Sequence, residues 1–198
     1  MIDAAGDARR FSYRKEKTDV NALIVNCSPV RTGATAEIVR QIAEALKEAY
    51  AVRTVCVDDY QIGFCRGCRS CHETGECVRR DGAQELMEDF EWADKIVLAA
   101  PSYWADVPGQ FKVFIDRCTP WSNTHEPRAR LSPGKEGFAV ALRTGPGMAE
   151  CEKIQETIRH FLGHLDIPCR GRLGLTRVEN RADAAARREE ILAFAREI

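Results

Sequence analysis

The sequence predicts a three-layer, doubly wound α/β fold on a five-stranded parallel sheet, because short apolar runs alternate with amphipathic segments from Ala22 onward. Strands buried on both faces need continuous apolar runs, and the segments between them repeat their apolar residues at helical spacing. A chain of 198 residues, 44% hydrophobic and 30% charged, has enough apolar material for one core and one domain.

"ALIVNC" (22–27) reads as the first strand, and Ile38, Val39, Ile42, Leu46 and Ala49 then mark one face of a helix. "AVRTVCV" (51–57) is the second strand, ended by the Asp58-Asp59 turn. Leu86, Met87, Phe90 and Ala93 form a second helical face before "KIVLAA" (95–100), a third strand stopped by Pro101. Pro108 can open a third helix carrying Phe111, Phe114, Ile115 and Cys118. A long loop at 119–134 leads to the fourth strand, "GFAVAL" (137–142). Cys151, Ile154, Ile158, Phe161, Leu162 and Leu165 line a helix that ends before Pro168. The glycines and arginines of "CRGRLGLTRV" (169–178) suit an edge strand, and "ADAAARREEILAFAREI" (182–198) closes the chain as a helix.

A net charge of −1 offers no general attraction to nucleic acid or to an anionic membrane. No apolar run reaches the roughly 18 residues of a membrane span. Residues 1–19, with "RRFSYRKEK" at 9–17, read as a mobile arm: an arginine pair is present, but no apolar region of an export signal follows it. The nine cysteines are odd in number, so a reduced, cytoplasmic setting is expected rather than a disulfide framework. Cys27, Cys56, Cys118, Cys151 and Cys169 stand singly among apolar neighbours and are expected to pack as small core residues.

In doubly wound sheets ligands bind at the carboxyl edge of the strands, so chemistry is sought in the loops there. "CSPVRTGAT" (27–35) offers hydroxyls from Ser28, Thr32 and Thr35, a tight turn at Gly33 and a helix amino terminus, a combination able to hold a phosphate without lysine. The same residues also suit an ordinary capped strand-to-helix turn. "PSYWADVPGQFKVFIDR" (101–117) places Tyr103 and Trp104 where a planar ring can be contacted, with backbone groups from Ser102 to Asp106 for its polar rim. "RTGPGM" (143–148) lets main chain approach a ligand closely.

The segment "CRGCRSCHETGEC" (65–77) spaces four cysteines as Cys-x2-Cys-x2-Cys-x5-Cys. Three thiolates at intervals of three residues, completed by a fourth, give the four-cysteine set of a [4Fe-4S] centre. Structural zinc more often uses two separated Cys-x2-Cys knuckles, and free redox-active thiols are the third reading. His160 and His164 sit one turn apart but lack the Glu of a His-Glu-x-x-His motif, so they read as a solvated face. His72 and His125 have no assigned role.

These loops resemble the flavodoxin-like NAD(P)H-dependent FMN reductases, and among them the iron-sulfur flavoproteins, over about residues 20–198. The family's Gly-Ser-Pro-Arg-x-x-Gly-Asn-Thr loop is matched by "CSPVRTGAT". Cys27, Val30 and Ala34 depart from it, and Arg31 is placed to supply the missing charge. The Pro-x-Tyr-aromatic segment and the Lys-x-Phe-x-Asp-Arg helix are matched by "PSYWADVPGQFKVFIDR". The resemblance implies a flavodoxin-like domain binding FMN through Ser28, Val30, Arg31, Thr32, Gly33, Ala34 and Thr35 at the phosphate, and through Pro101, Ser102, Tyr103, Trp104, Ala105, Asp106, Thr144 and Gly145 around the ring. It further implies a cluster on Cys65, Cys68, Cys71 and Cys77 that exchanges electrons with FMN on the same sheet edge, and a homodimer or homotetramer. The expected activity is electron transfer from ferredoxin or NAD(P)H to a quinone, oxygen or another small acceptor. The rival readings are a cluster-free NAD(P)H-dependent reductase and a zinc- or thiol-based redox sensor.

Overall fold

A computed structural model describes residues 20–198. The arm expected at 1–19 lies outside the described residues. Five strands, β1 (Asn21–Asn26), β2 (Ala51–Cys56), β3 (Lys95–Pro101), β4 (Glu136–Leu142) and β5 (Cys169–Leu175), form one sheet in the order β2-β1-β3-β4-β5. Every pairing is parallel, with Val25 opposite Val55 and Leu98, and Leu98 opposite Ala139. The expected doubly wound fold is therefore present, and β5 lies at an edge as its glycines and arginines require.

Among the described residues seven α-helices follow in chain order: α1 (Ala34–Leu46), α2 (Ser70–Thr74), α3 (Gly82–Trp92), α4 (Gly109–Arg117), α5 (Ala149–His164), α6 (Arg181–Ala186) and α7 (Arg188–Ala195). Each central strand faces two apolar layers. Leu23, Val25, Ile96 and Leu98 meet α3, α4 and α5 through Phe90, Phe111, Phe114 and Phe161, whereas Ile24, Val97, Phe138 and Val140 meet α1, α6 and α7. Cys27, Cys56, Cys118 and Cys151 are buried, as expected of packing cysteines, whereas Cys169 is only partly buried. Burial pushes the thiols of Cys27 and Cys118 well above their ordinary range, so they stay neutral.

Besides α2, which the sequence reading did not expect, two elements differ from expectation. The closing helix is split at Arg187, whose guanidinium donates to the Thr176 carbonyl at 2.8 Å, and both halves pack on α1. The segment after α4 is not wholly loop, since residues 119–121 form a 3-10 turn. Buried Lys135 caps α3 by donating to the carbonyls of Glu91 at 2.6 Å and Ala93 at 2.8 Å, which satisfies acceptors that the helix leaves open. No helix among the described residues is long and apolar enough to cross a membrane.

Candidate cofactor sites

The loop after β1 is fixed by its own short hydrogen bonds. Asn26 Oδ1 accepts from Ser28 N at 3.0 Å, Asn26 Nδ2 donates to Val30 O at 3.2 Å, and Ser28 Oγ accepts from Val30 N at 3.1 Å. This chain of bonds leads to Gly33, the N-cap of α1, which has no side chain to cap the helix. A Cβ at Gly33 would sit 3.0 Å from Val30 Cγ1, so glycine lets the loop close tightly. The first N–H groups of α1 thus point into the loop without a side-chain cap, beside the buried hydroxyl residues Ser28 and Thr35. An unmet helix amino terminus with hydroxyls around it attracts an anion.

A cleft joins that loop to the ends of β3 and β4. Ser28, Val30, Gly33, Ala34, Thr35, Pro101, Ser102, Tyr103 and Thr144 line it, as do Leu142, Arg143, Val178 and Glu179. Ser102 N donates to Leu142 O at 2.8 Å, and Ser102 Oγ donates to Glu150 Oε2 at 2.5 Å. The other oxygen of Glu150 pairs with Arg143 at 3.1 Å, so one carboxylate ties the β3 loop to the β4 loop. Arg143 Nε is buried without a protein partner, a donor left over at the cleft.

Six of the expected FMN contacts lie off this cleft. Arg31 pairs with Asp58 and Asp59 and does not line the cleft. Thr32 is exposed beside it. Asp106 accepts from Val107 N at 2.8 Å and pairs with Lys153 at 3.6 Å, while the Gly145 carbonyl accepts from Arg177 N at 3.1 Å. Trp104 and Ala105 occupy the tip of a two-residue hairpin in which Tyr103 and Asp106 exchange backbone bonds of 2.9 and 3.1 Å. Both tip residues have positive φ, 52° and 60°, and Trp104 is 102% exposed. A turn of that kind favours Asn-Gly, and a left-handed alanine costs about 1–2 kcal/mol. Ala105→Gly is therefore expected to raise stability by about 1 kcal/mol, read as a higher urea midpoint. A lower midpoint would mean that the Ala105 methyl is held by favourable contacts.

The cysteine segment leaves the end of β2 and runs past α4 toward its carboxyl end. There Cys65, Cys68, Cys71 and Cys77 line one cavity of about 180 Å³ together with Asp116, Arg117 and Pro120. Positive φ at Arg69 (60°), the N-cap of α2, and at Gly75 (74°), its C-cap, turns the chain at both ends of this short helix, and Gly67 (63°) turns it just before. Arg117, 2% exposed, forms the cavity's back wall. It donates to Gly63 O at 2.7 Å, Asp81 Oδ2 at 2.6 Å, Arg79 O at 3.3 Å and Cys77 Sγ at 3.5 Å. Burial raises the Cys71 thiol above its ordinary range, and the neighbouring cysteines push it the same way, so the site favours thiolates only with a cation to balance them.

One expectation is corrected here. The cysteine cavity does not share the sheet edge with the cleft: the cleft touches the chain ahead of α4, the cavity touches the last turn of α4, and no residue lines both. Between the two lies α4, nine residues and about 13 Å long. The turn at Arg143 reaches the cleft as expected, whereas Leu142, Val178 and Glu179 in the cleft and the role of Arg117 were missed by sequence reasoning. Of these only Arg117 had a local signal, as a charge following a strongly apolar helical face.

A family model described as NADPH-dependent FMN reductase matches residues 20–175. An iron-sulfur flavoprotein of Archaeoglobus fulgidus is 36% identical over 115 residues, 56% of this chain and 50% of that protein. Another of Methanocaldococcus jannaschii is 29% identical over 141 residues, 71% of this chain and 70% of that protein. The chain thus aligns with about half the length of the first relative. Among solved structures, a Streptococcus mutans protein superposes with a TM-score of 0.69 at 20% identity, covering 90% of this chain and 100% of that one. An FMN-dependent NADH-azoreductase of Bacillus anthracis superposes with a TM-score of 0.66 at 14% identity, covering 89% of this chain and 98% of that one. At such identities the superpositions speak for the flavodoxin-like fold alone. With its cleft, its parallel sheet and a family match running from Val20 to Leu175, the chain belongs to the NADPH-dependent FMN reductase family.

Proposed function

We propose that this chain is an FMN-dependent oxidoreductase whose cysteine cavity holds a [4Fe-4S] cluster, and that it delivers electrons to a quinone, oxygen or another small acceptor. The observation that carries the cluster is the convergence of Cys65, Cys68, Cys71 and Cys77 on one cavity backed by a buried guanidinium. The Cys-x2-Cys-x2-Cys-x5-Cys spacing suits that cluster better than structural zinc, which more often uses two separated Cys-x2-Cys knuckles.

The uncapped start of α1, with Ser28 and Thr35, suits the FMN phosphate. Pro101, Ser102, Tyr103, Arg143 and Thr144 border the part of the cleft left for the ring. When bound, FMN and the cluster supply two-electron and one-electron transfer, respectively. Glu150 keeps the two ring-side loops in fixed register, and Arg143 Nε is left free to donate to a polar rim. Arg117 Nη2 donates to the Cys77 sulfur at 3.5 Å, a charged donor placed at the cavity wall.

A second reading draws on the separation of the two sites. A gap spanned by α4 favours direct reduction at the cleft by NAD(P)H, with the cysteine cavity serving a different exchange. Anaerobic purification followed by iron and sulfide reconstitution distinguishes them. The proposal expects iron and acid-labile sulfide in equal amounts, lost in Cys68→Ser while FMN is kept. Absence of both after reconstitution sinks the cluster. Unchanged bleaching of the flavin by NADPH in Cys68→Ser supports the second reading.

A further inference from the structure

Two histidines far apart in sequence meet beside the cysteine cavity. His72 lies on α2, and His125 lies in the segment after the 3-10 turn. The meeting is built by backbone: Gly75 and Arg128 form an isolated parallel bridge, and Ala129 N donates to Pro120 O at 2.9 Å. Arg128 then anchors the segment, donating to Asp166 Oδ2 at 2.7 Å and to Trp121 O at 3.4 Å. Held this way, the His72 and His125 rings stack at 4.2 Å between centroids with 13° between their planes.

Both ring nitrogens of His125 are buried without a hydrogen-bond partner. Buried imidazole nitrogens ordinarily find one, and each orphan needs an explanation. One ligand atom each from Cys71, His72 and His125 lies within 4.8 Å of the other two. A tetrahedral ion at about 2.3 Å from sulfur and about 2.0 Å from nitrogen sets its ligand atoms about 3.3–3.6 Å apart, which the trio reaches when the stacked rings turn so that the ion lies in both ring planes.

We propose that Cys71, His72 and His125 form a mononuclear site for a borderline-soft divalent cation, best matched by Zn²⁺, which is filled when the cysteine cavity holds no cluster. One thiolate and two imidazoles are a donor set that zinc accepts, with the fourth position left to water. The exclusion follows from Cys71, which belongs to both donor sets and has one sulfur to give. Exposed His72 gives the ion an entry path from solvent. On binding, the Zn²⁺–sulfur bond forms as the Cys71 thiol proton leaves for solvent, and no electron moves. The loop then stays folded and its shared thiol stays masked when iron is lost. The exclusion, though not the site itself, rests on the cluster reading.

The test titrates the chain of 198 residues, stripped of iron anaerobically, with Co²⁺ as a spectroscopic probe and then with Zn²⁺ in competition. The expected result is one equivalent of tetrahedral Co²⁺ with a single thiolate-to-metal absorption, displaced by Zn²⁺. His125→Ala and His72→Ala should each weaken binding at least tenfold while still assembling the cluster. Cys65→Ser should do the reverse, losing the cluster and keeping the metal. Retention of FMN by each variant shows that it has folded, and His125→Gln repeats the test in a bulkier side chain. Cobalt binding that survives His125→Ala but is lost in Cys65→Ser would assign the metal to the cysteines and overturn the site. Failure of the unmodified chain to bind either ion would overturn it as well. Uptake of Co²⁺ at the trio by cluster-loaded protein would overturn the exclusion. Loss of the cluster reading alone, with metal binding still dependent on His125, leaves the site standing.

Discussion

Replacing Arg117 with leucine is expected to destabilise the protein by about 3–5 kcal/mol and to abolish retention of iron and sulfide. The residue is 2% exposed and holds four acceptors at once: Gly63 O, Arg79 O, the Asp81 carboxylate and Cys77 Sγ. Removing one partner of a buried pair leaves the other charge uncompensated, the mechanism behind the larger single-substitution losses. Here the orphan is Asp81. Burial raises its pKa, but hydrogen bonds from Arg117, Ala83 N and Gly63 N outweigh that and hold it below the ordinary carboxylate value. A depressed folded pKa contributes stability above the unfolded value, about 3.9, and that contribution is lost as pH falls through the folded value. The urea midpoint of the unmodified chain should therefore drop below about pH 4, and part of that drop should be missing in Arg117→Leu. Arg117→Lys keeps the charge but not the planar fork, so it should recover some stability and little iron binding. Wild-type iron content in Arg117→Leu would show that the cysteines hold their cavity without it.

The sheet was legible from sequence because β1, β3 and β4 are covered on both faces and so read as unbroken apolar runs. Each of the three loops chosen for chemistry does reach one cleft, although by different residues than expected in part. Trp104 and Arg31 illustrate the loss: a side chain's type shows what it can bind, but a hairpin tip and a pair of aspartates decided where those two point. The destination of the cysteine segment was hidden for a related reason. Residues 57–64 carry no periodicity, and their path along α4 is set by long-range bonds such as Arg117 to Gly63, which local pattern does not record. The stacking of His72 on His125 depends on a backbone bridge between Gly75 and Arg128, and is equally silent in the sequence. The break at Arg187 runs against local helix preference: a continuous helix would suit "ADAAARREEI", but two short ones let Ala184 below and Ile191 and Phe194 above each reach the face of α1.

Phe114→Ala is expected to cost about 3–5 kcal/mol, the range for truncating a fully buried aromatic ring. Phe114 is 0% exposed, with Phe90, Phe161 and Phe111 centroids at 5.6, 5.9 and 6.4 Å. Each such pair adds about 0.5–1.5 kcal/mol beyond burial, and all three lose their partner together. The functional weight of the ring comes from where α4 stands. Its amino end follows the Ser102–Asp106 loop of the cleft, and its carboxyl end carries Arg117 into the cysteine cavity, so packing against α3 and α5 fixes the spacing of both sites. Ile115, on the same helix but only partly buried, is the control: Ile115→Ala should cost distinctly less. Urea denaturation of the two variants, with FMN and iron content measured on the same samples, tests the argument. If α4 is the strut between the sites, Phe114→Ala loosens both cofactors while Ile115→Ala spares them. A stability loss below about 1 kcal/mol in Phe114→Ala would mean that Phe90, Phe111 and Phe161 collapse into the space, and that the strut is held by something other than this ring.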